Sequence, residues 1–468
     1  MILKIINLNY NFNKMKYNEI TIYHSLYLPF YFCHILFIQY TMVFDSPNAN
    51  KLHKVFHGLY SDMQRAYAEC RLKQLEPTVQ SVDSWRKLPL PADMREQLLS
   101  TSTSSINSTY FPEEIQHHIL NERSVVITYR FTVLSTDSSN SKRPGRNMVL
   151  HFVVFNKPNP DLKKMLAYAK HVCALMHLVS MHASRTTCSA TLNIFIYMTK
   201  FKKLFPTANG DTLHAEHANT GLSYHCAKNN DLVVYRKEEW FKVLIHESFH
   251  AFGLSFIETD MPAGVDDTMQ RMLQRTYAIS HPVLVYETYC EIWARVLNVF
   301  FACFSPNDES VFVGGAPILN LKLNAFIECV MDGLHRDAQH AMRQSVKLMH
   351  YMDIPYDVLC NPTKENRAIV AKKYREDTNI FAYYVMTCAL QHSPETFLVW
   401  CYENNPTSAV KPRANILQFR TIPSNFNGFM ELIHYCKHCT PPSLNQTMDK
   451  DDIFGSSMRM TTTDFMKN

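Results

Sequence analysis

The amino-acid sequence predicts an α+β fold: a small mixed sheet with a backing helix and a metal-binding helix, followed by a mostly helical C-terminal subdomain. Three observations lead there. Between residues 124 and 236, β-rich runs flank a helix-period stretch and return after it. An apolar helix-period run then carries His246-Glu247-Ser248-Phe249-His250. From Asn320 onward the long periodic stretches are helical.

The 468 residues are 46% apolar and 19% charged, a globular rather than a disordered balance. That length allows two or three domains. Net charge is a mild +5, and no Arg/Lys stripe with interleaved aromatics stands out, so nucleic-acid binding is not indicated. The thirteen cysteines are odd in number and form no evenly spaced framework. This suits an intracellular reducing compartment, with most thiols buried as small apolar groups.

Residues 1–50 read as a hydrophobic extension. Within it, residues 20–44 are long enough to cross a bilayer, although His24, Pro29, His34 and Gln39 interrupt them. A membrane anchor and a packed or disordered extension both remain open, and translation from Met42 would remove the segment. Residues 51–122 read as a helical N-terminal region, clearest from Leu59 to Leu75, with a Ser/Thr-rich linker at Thr101 to Thr109. The core is expected over 123–303. Its strands are Ser124 to Leu134 and Asn147 to Phe155, then Thr191 to Met198, an edge strand in Thr220 to Cys226, and Leu232 to Arg236. The helix Asp161 to His182 lies between the second and third. An edge strand beside the motif lets a peptide substrate add by β-pairing, and Asn219, Thr220 and Gly221 are either part of that edge or a turn.

The motif H-E-x-x-H puts two imidazoles on one helix face, one turn apart, with a carboxylate beside them. That arrangement suits Zn²⁺ with a water whose proton Glu247 takes. Val243, Leu244, Ile245, Phe249 and Phe252 surround the histidines with apolar side chains, Glu238 and Glu239 fall in the first turn, and Gly253 offers a left-handed stop. A third histidine at the spacing H-x-x-G-x-x-H is excluded, because that position is Phe256. Downstream candidates are Glu258, Asp260, Asp266, Asp267, His281, Glu287 and Glu291. Val285 to Leu297 has the periodicity of a half-buried helix and carries Glu287 and Glu291 one turn apart. Glu287 is favoured as ligand and Glu291 as the group that orients a ligand histidine.

Residues 304–440 should form the helical subdomain, with a loop at Ser305 to Pro317 and helices over Asn320 to Met352 and Asn379 to Glu403. Tyr277, Tyr286, Tyr383 and Tyr384 are candidates for stabilising a tetrahedral oxyanion, with core packing as the alternative for each. Cys436-x-x-Cys439, beside His434, is a lone pair without a second at zinc-finger spacing. Residues 441–468, polar and rich in Met, Thr and Asp, read as a disordered tail.

Val-Leu-Ile-His-Glu-Ser-Phe-His-Ala-Phe, followed by a glutamate-bearing helix, resembles the zincin metallopeptidases of the gluzincin type. The E-x-x-x-E helix is similar to that of lethal-factor-like proteases. The stretch Leu192 to Phe256 resembles metallopeptidases encoded by large nucleocytoplasmic DNA viruses. It does so through Leu192 to Ile196, Lys202 to Pro206, His217 to Gly221 and Arg236 to Val243. The resemblance covers a quarter to a third of the chain. It implies a zincin-like fold and zinc on His246, His250 and Glu287. It further implies Glu247 as general base, a polypeptide substrate, and host cytoplasm or a virion as location. The reading is a zinc-dependent endopeptidase, membrane-tethered if residues 20–44 are an anchor. The alternative is a zincin-fold structural or interaction protein, for example a virion component, that cleaves nothing.

Overall fold

Six strands and fourteen helices make up the described part of the chain. The computed structural model describes residues 47–73, 75–100, 111–133, 145–207, 210–305, 317–405, 415–439 and 455–464. The segment 20–44 and the Thr101 to Thr109 linker lie outside these residues, as does nearly all of the loop expected at Ser305 to Pro317.

In chain order the elements begin with α1 (Pro47–Arg71), β1 (Thr78–Val82), α2 (Ala92–Ser100), α3 (Glu113–Asn121), β2 (Ser124–Val133), β3 (Arg146–Phe155) and α4 (Leu162–His182). They continue through β4 (Thr191–Tyr197), α5 (Ala215–Ala218), β5 (Gly221–Ser223), β6 (Asn229–Val234), α6 (Trp240–Ala251), α7 (Val265–Thr276) and α8 (Val285–Cys303). The last are α9 (Pro317–Tyr351), α10 (Tyr356–Cys360), α11 (Lys364–Lys373), a π-helical turn (Phe381–Met386), α12 (Thr387–Gln391), α13 (Pro394–Asn404) and α14 (Pro423–Cys439). Pro47 to Val55 is the described part of one unit, and Phe56 to Asn468 forms the other.

The sheet is open and mixed, in the order β1-β2-β3-β4-β6-β5. Neighbours are antiparallel from β1 to β3, parallel from β3 through β4 to β6, and antiparallel again where β5 closes on β6. The central strands are runs of β-branched and aromatic residues because both faces are covered. On one face Val126, Val153, Phe195 and Val233 meet Met94, Leu98, Ile115 and Ile119 of α2 and α3. On the other lie α4 and α6, where Trp240 packs against Phe152 and Tyr168 at ring separations of 6.0 and 5.0 Å.

Four expectations are corrected. The region 51–122 is not wholly helical, since Thr78–Val82 pairs with β2. This short polar strand is exposed at four of its five positions, so its order comes from the partner's backbone rather than from a pattern of its own. The helix expected over Asn379 to Glu403 is broken at Ser393, where Pro394 takes the first position of α13. The thiols are not all reduced. Cys188 pairs with Cys226, their Cα atoms 4.4 Å apart, and Cys303 with Cys329. Cys188 precedes β4 and Cys226 precedes β6; these are parallel neighbours, so their lead-in residues lie side by side. Finally, residues 455–464 of the expected disordered tail are packed into the structure. Met458 and Thr461 are wholly buried.

Candidate metal centre

Every residue of α6 is buried, so each polar side chain on it needs a partner. The helix starts after Glu239, which holds a left-handed conformation (φ 57°) as N-cap. Glu238 and Glu239 therefore precede the first turn rather than occupy it. The helix ends at Gly253 (φ 62°), where the Leu254 N–H returns to the Phe249 carbonyl at 2.9 Å. β5 lies against it so closely that a Cβ on Gly221 would stand 2.8 Å from Val243 Cγ1 and 3.0 Å from Glu247 Cγ.

Helix α8 packs on α6 and brings its two glutamates to the histidines. Glu287 Oε2 lies 3.0 Å from His246 Nε2 and 3.5 Å from His250 Nε2. The two Nε2 atoms are 3.3 Å apart. These three buried residues can hold a metal ion, and they are the single group of that kind among the described residues. Glu291 takes the opposite side of the first imidazole, with Oε2 3.1 Å from His246 Nδ1. Cys290 Sγ lies 3.8 Å from His250 Nδ1.

Glu291 is itself gripped by cations. Lys242 Nζ, one turn before His246, donates to both of its oxygens at 2.9 and 2.8 Å. Arg295 Nε donates to Oε1 at 2.7 Å. Burial pushes the Glu291 pKa up, but Lys242 and Arg295 outweigh it and hold the carboxyl well below its usual range. Glu287 is likewise lowered, because His250 and His246 overcome its burial. Burial opposes charge on His246, yet its contacts with Glu287 and Glu291 raise it to about 10. His250 is raised as well, against burial, by Cys290 and Glu287.

Glu247 points to the β5 side. Ser223 Oγ donates to its Oε2 at 2.9 Å and to its backbone carbonyl at 3.0 Å. Burial raises the Glu247 pKa, opposed by the two histidines and by Ser223. A cavity of about 280 Å³ joins Glu247 and the His/Glu cluster to Asn219, Thr220 and Gly221.

Of the four tyrosines considered, Tyr383 reaches the cluster. Its hydroxyl donates to Glu287 Oε2 at 3.2 Å, and its ring meets His246 edge-on at 5.7 Å. Tyr286 packs edge-on to His250 at 6.0 Å and lines the cavity. Tyr384 does not face the site; its hydroxyl donates to the Met458 carbonyl. Successive residues of a helical turn project in well-separated directions, so one of the adjacent pair must turn away. Tyr277 is also elsewhere, packed edge-on to Phe381 at 5.4 Å. Asp260 pairs with Arg185, and His281 with Glu376. Cys436 is buried and belongs to no metal cluster among the described residues, and the side chain of Cys439 lies outside them.

The sequence reading missed Ser223, Lys242 and Arg295. The two cations had a signal: each is spaced four residues from a site residue, within an otherwise apolar helix. No family model, curated protein or solved structure matches the chain.

Proposed function

We propose that the protein is a zinc-dependent metallopeptidase of zincin type. The observation that carries this reading is the triangle of ligand atoms, with sides of 3.0, 3.3 and 3.5 Å. Four donors set tetrahedrally around zinc at its usual bond lengths are about 3.3 Å apart, so the cluster fits that ion without rearrangement. Two imidazoles and a carboxylate favour zinc over harder cations. The zincin likeness is supported by the succession of parallel strands, an antiparallel edge strand, the motif helix and a glutamate helix. Among the described residues β5 ends the sheet, which supports its outer edge as the place where an extended peptide would pair.

Bound zinc would supply Lewis-acid polarisation of the scissile carbonyl and acidify the attacking water. Glu247 accepts the proton of that water on its carboxylate and returns it to the leaving amine. Ser223 holds the carboxylate towards β5, where the peptide lies. The Tyr383 hydroxyl, which donates to Glu287 Oε2 in the resting site, would turn its proton to the oxygen on which negative charge develops.

The purified chain is expected to carry one equivalent of zinc and to cleave members of a peptide library, with cleavage lost to a chelator and restored by zinc. Stoichiometric zinc without cleavage of any peptide would instead favour a silent scaffold. Tyr383→Phe is expected to lower kcat by about 10²-fold with KM and zinc content unchanged. An unaltered kcat would remove Tyr383 from the mechanism.

A further inference from the structure

We propose that the C-terminal strap, residues 455–464, is a positioning element of the metal centre, acting on His246 through Glu239, Lys242 and Glu291. This rests on the metal-binding part of the reading above and not on the peptidase activity.

The strap reaches the start of the motif helix from the far end of the chain. It is laid down by backbone contacts with the segment before α5: Phe205 N–H to the Ser456 carbonyl at 2.8 Å, and Met458 N–H to the Lys203 carbonyl at 3.0 Å. Its far side is fastened to α9. There Asp337, wholly buried, accepts from the Thr462 N–H at 2.9 Å and the Thr462 hydroxyl at 2.7 Å, and also from the Thr461 hydroxyl. Between these anchors the N–H groups of Met460 and Thr461 converge on Glu239 Oε1, at 2.9 and 2.6 Å.

Glu239 is the N-cap of α6 and wholly buried at its side chain, and Lys203 pairs with its other oxygen. Burial pushes the Glu239 pKa up, yet Lys203 and Lys242 hold it at about 2. It is therefore an anion, and the strap supplies two of its hydrogen bonds. Three residues on, Lys242 Nζ touches Met460 Sδ at 3.4 Å while gripping both oxygens of Glu291. Glu291 in turn sits on His246 Nδ1. A continuous line of contacts thus runs from the strap to a ligand imidazole. Met460, 3% exposed, also walls the cavity beside Lys242. Lys242 and Glu291 line the same cavity, so the Met460 side chain against Lys242 Nζ limits how far the pair can reorient into it.

Groups that orient a metal-bound histidine contribute 10- to 100-fold to metal affinity. The test uses chelator competition to measure zinc affinity, alongside the thermal midpoint of the metal-free protein. A chain ending at residue 454 is expected to bind zinc about 10- to 100-fold more weakly than the full chain, and a synthetic peptide of residues 455–468 should restore it. In the full chain, Met460→Ala should weaken zinc by about tenfold, and Met460→Leu, which keeps the bulk, should not. Zinc affinity within threefold of the full chain in the folded truncation would overturn the proposal. If the truncation does not fold, Met460→Ala decides: a lower metal-free midpoint with unchanged zinc affinity would mark Met460 as packing alone and overturn it too. A full chain that binds zinc but cleaves nothing defeats the peptidase reading and leaves these outcomes intact.

Discussion

Glu247→Gln is expected to retain one zinc per chain and to lose hydrolysis by about 10²- to 10⁴-fold, nearly all of it in kcat. Glutamine keeps the shape of the side chain and can still accept from Ser223 Oγ at the oxygen that now receives that bond. It cannot take up a proton. The atoms placed to hold a metal belong to His246, His250 and Glu287, so the substitution removes none of them. Metal analysis beside steady-state kinetics gives the result directly. Undiminished turnover with zinc in place would eliminate a general base at this position. Loss of zinc together with activity would place Glu247 among the groups that hold the ion.

The second large effect is expected from Glu291→Ala. Lys242 and Arg295, 3% and 1% exposed, would be left in the interior without their counter-charge. Removing one partner from a buried ion pair costs about 3–5 kcal/mol, chiefly for the charge left behind. Here two cations are stranded, although Arg295 keeps the Gln391 side chain and the Tyr383 carbonyl as acceptors. Zinc affinity should also fall by about 10- to 100-fold, because His246 Nδ1 loses the group that orients it. Denaturant unfolding of the metal-free protein and chelator competition report the two losses separately. Glu291→Gln, which keeps an acceptor for His246 but not the charge, should show a smaller loss of affinity than of stability. Equal stability of Glu291→Ala and the parent would mean that water enters freely and solvates both cations.

The parts of this site that could be read in the sequence are those fixed by short spacing. Four-residue intervals put His246 with His250, and Glu287 with Glu291, on single faces of helices whose apolar flanks marked them as buried. The β-branched runs of the central strands were equally plain, because strands covered on both faces need such residues. The helical periodicity of Val285 to Leu297 raised Glu287 and Glu291 above the other downstream acids, but spacing alone could not separate ligand from support, nor Tyr383 from Tyr384. What stayed hidden depends on partners far apart in the chain. Residues 455–464 have no periodicity and few large apolar groups. Their order comes from backbone N–H groups meeting the buried carboxylates of Glu239 and Asp337, more than a hundred residues away. The pairing of Cys188 with Cys226 likewise follows from the register of neighbouring strands, which no cysteine interval expresses.

The π-helical turn at Phe381–Met386 has a consequence for how this site tolerates change in length. Such turns hold one residue more than an α-helix would use for the same span. Excising one of the six would let the segment rewind as α-helix over the same span, leaving the flanking turns nearly in place. Arg295 meets the Tyr383 carbonyl within that turn and the Gln391 side chain beyond it. A single-codon deletion between these two positions should therefore disturb the anchoring of Arg295 less than the same deletion in α6 or α8, where it would turn the residues on either side of the cut by about 100° and shift them by about 1.5 Å.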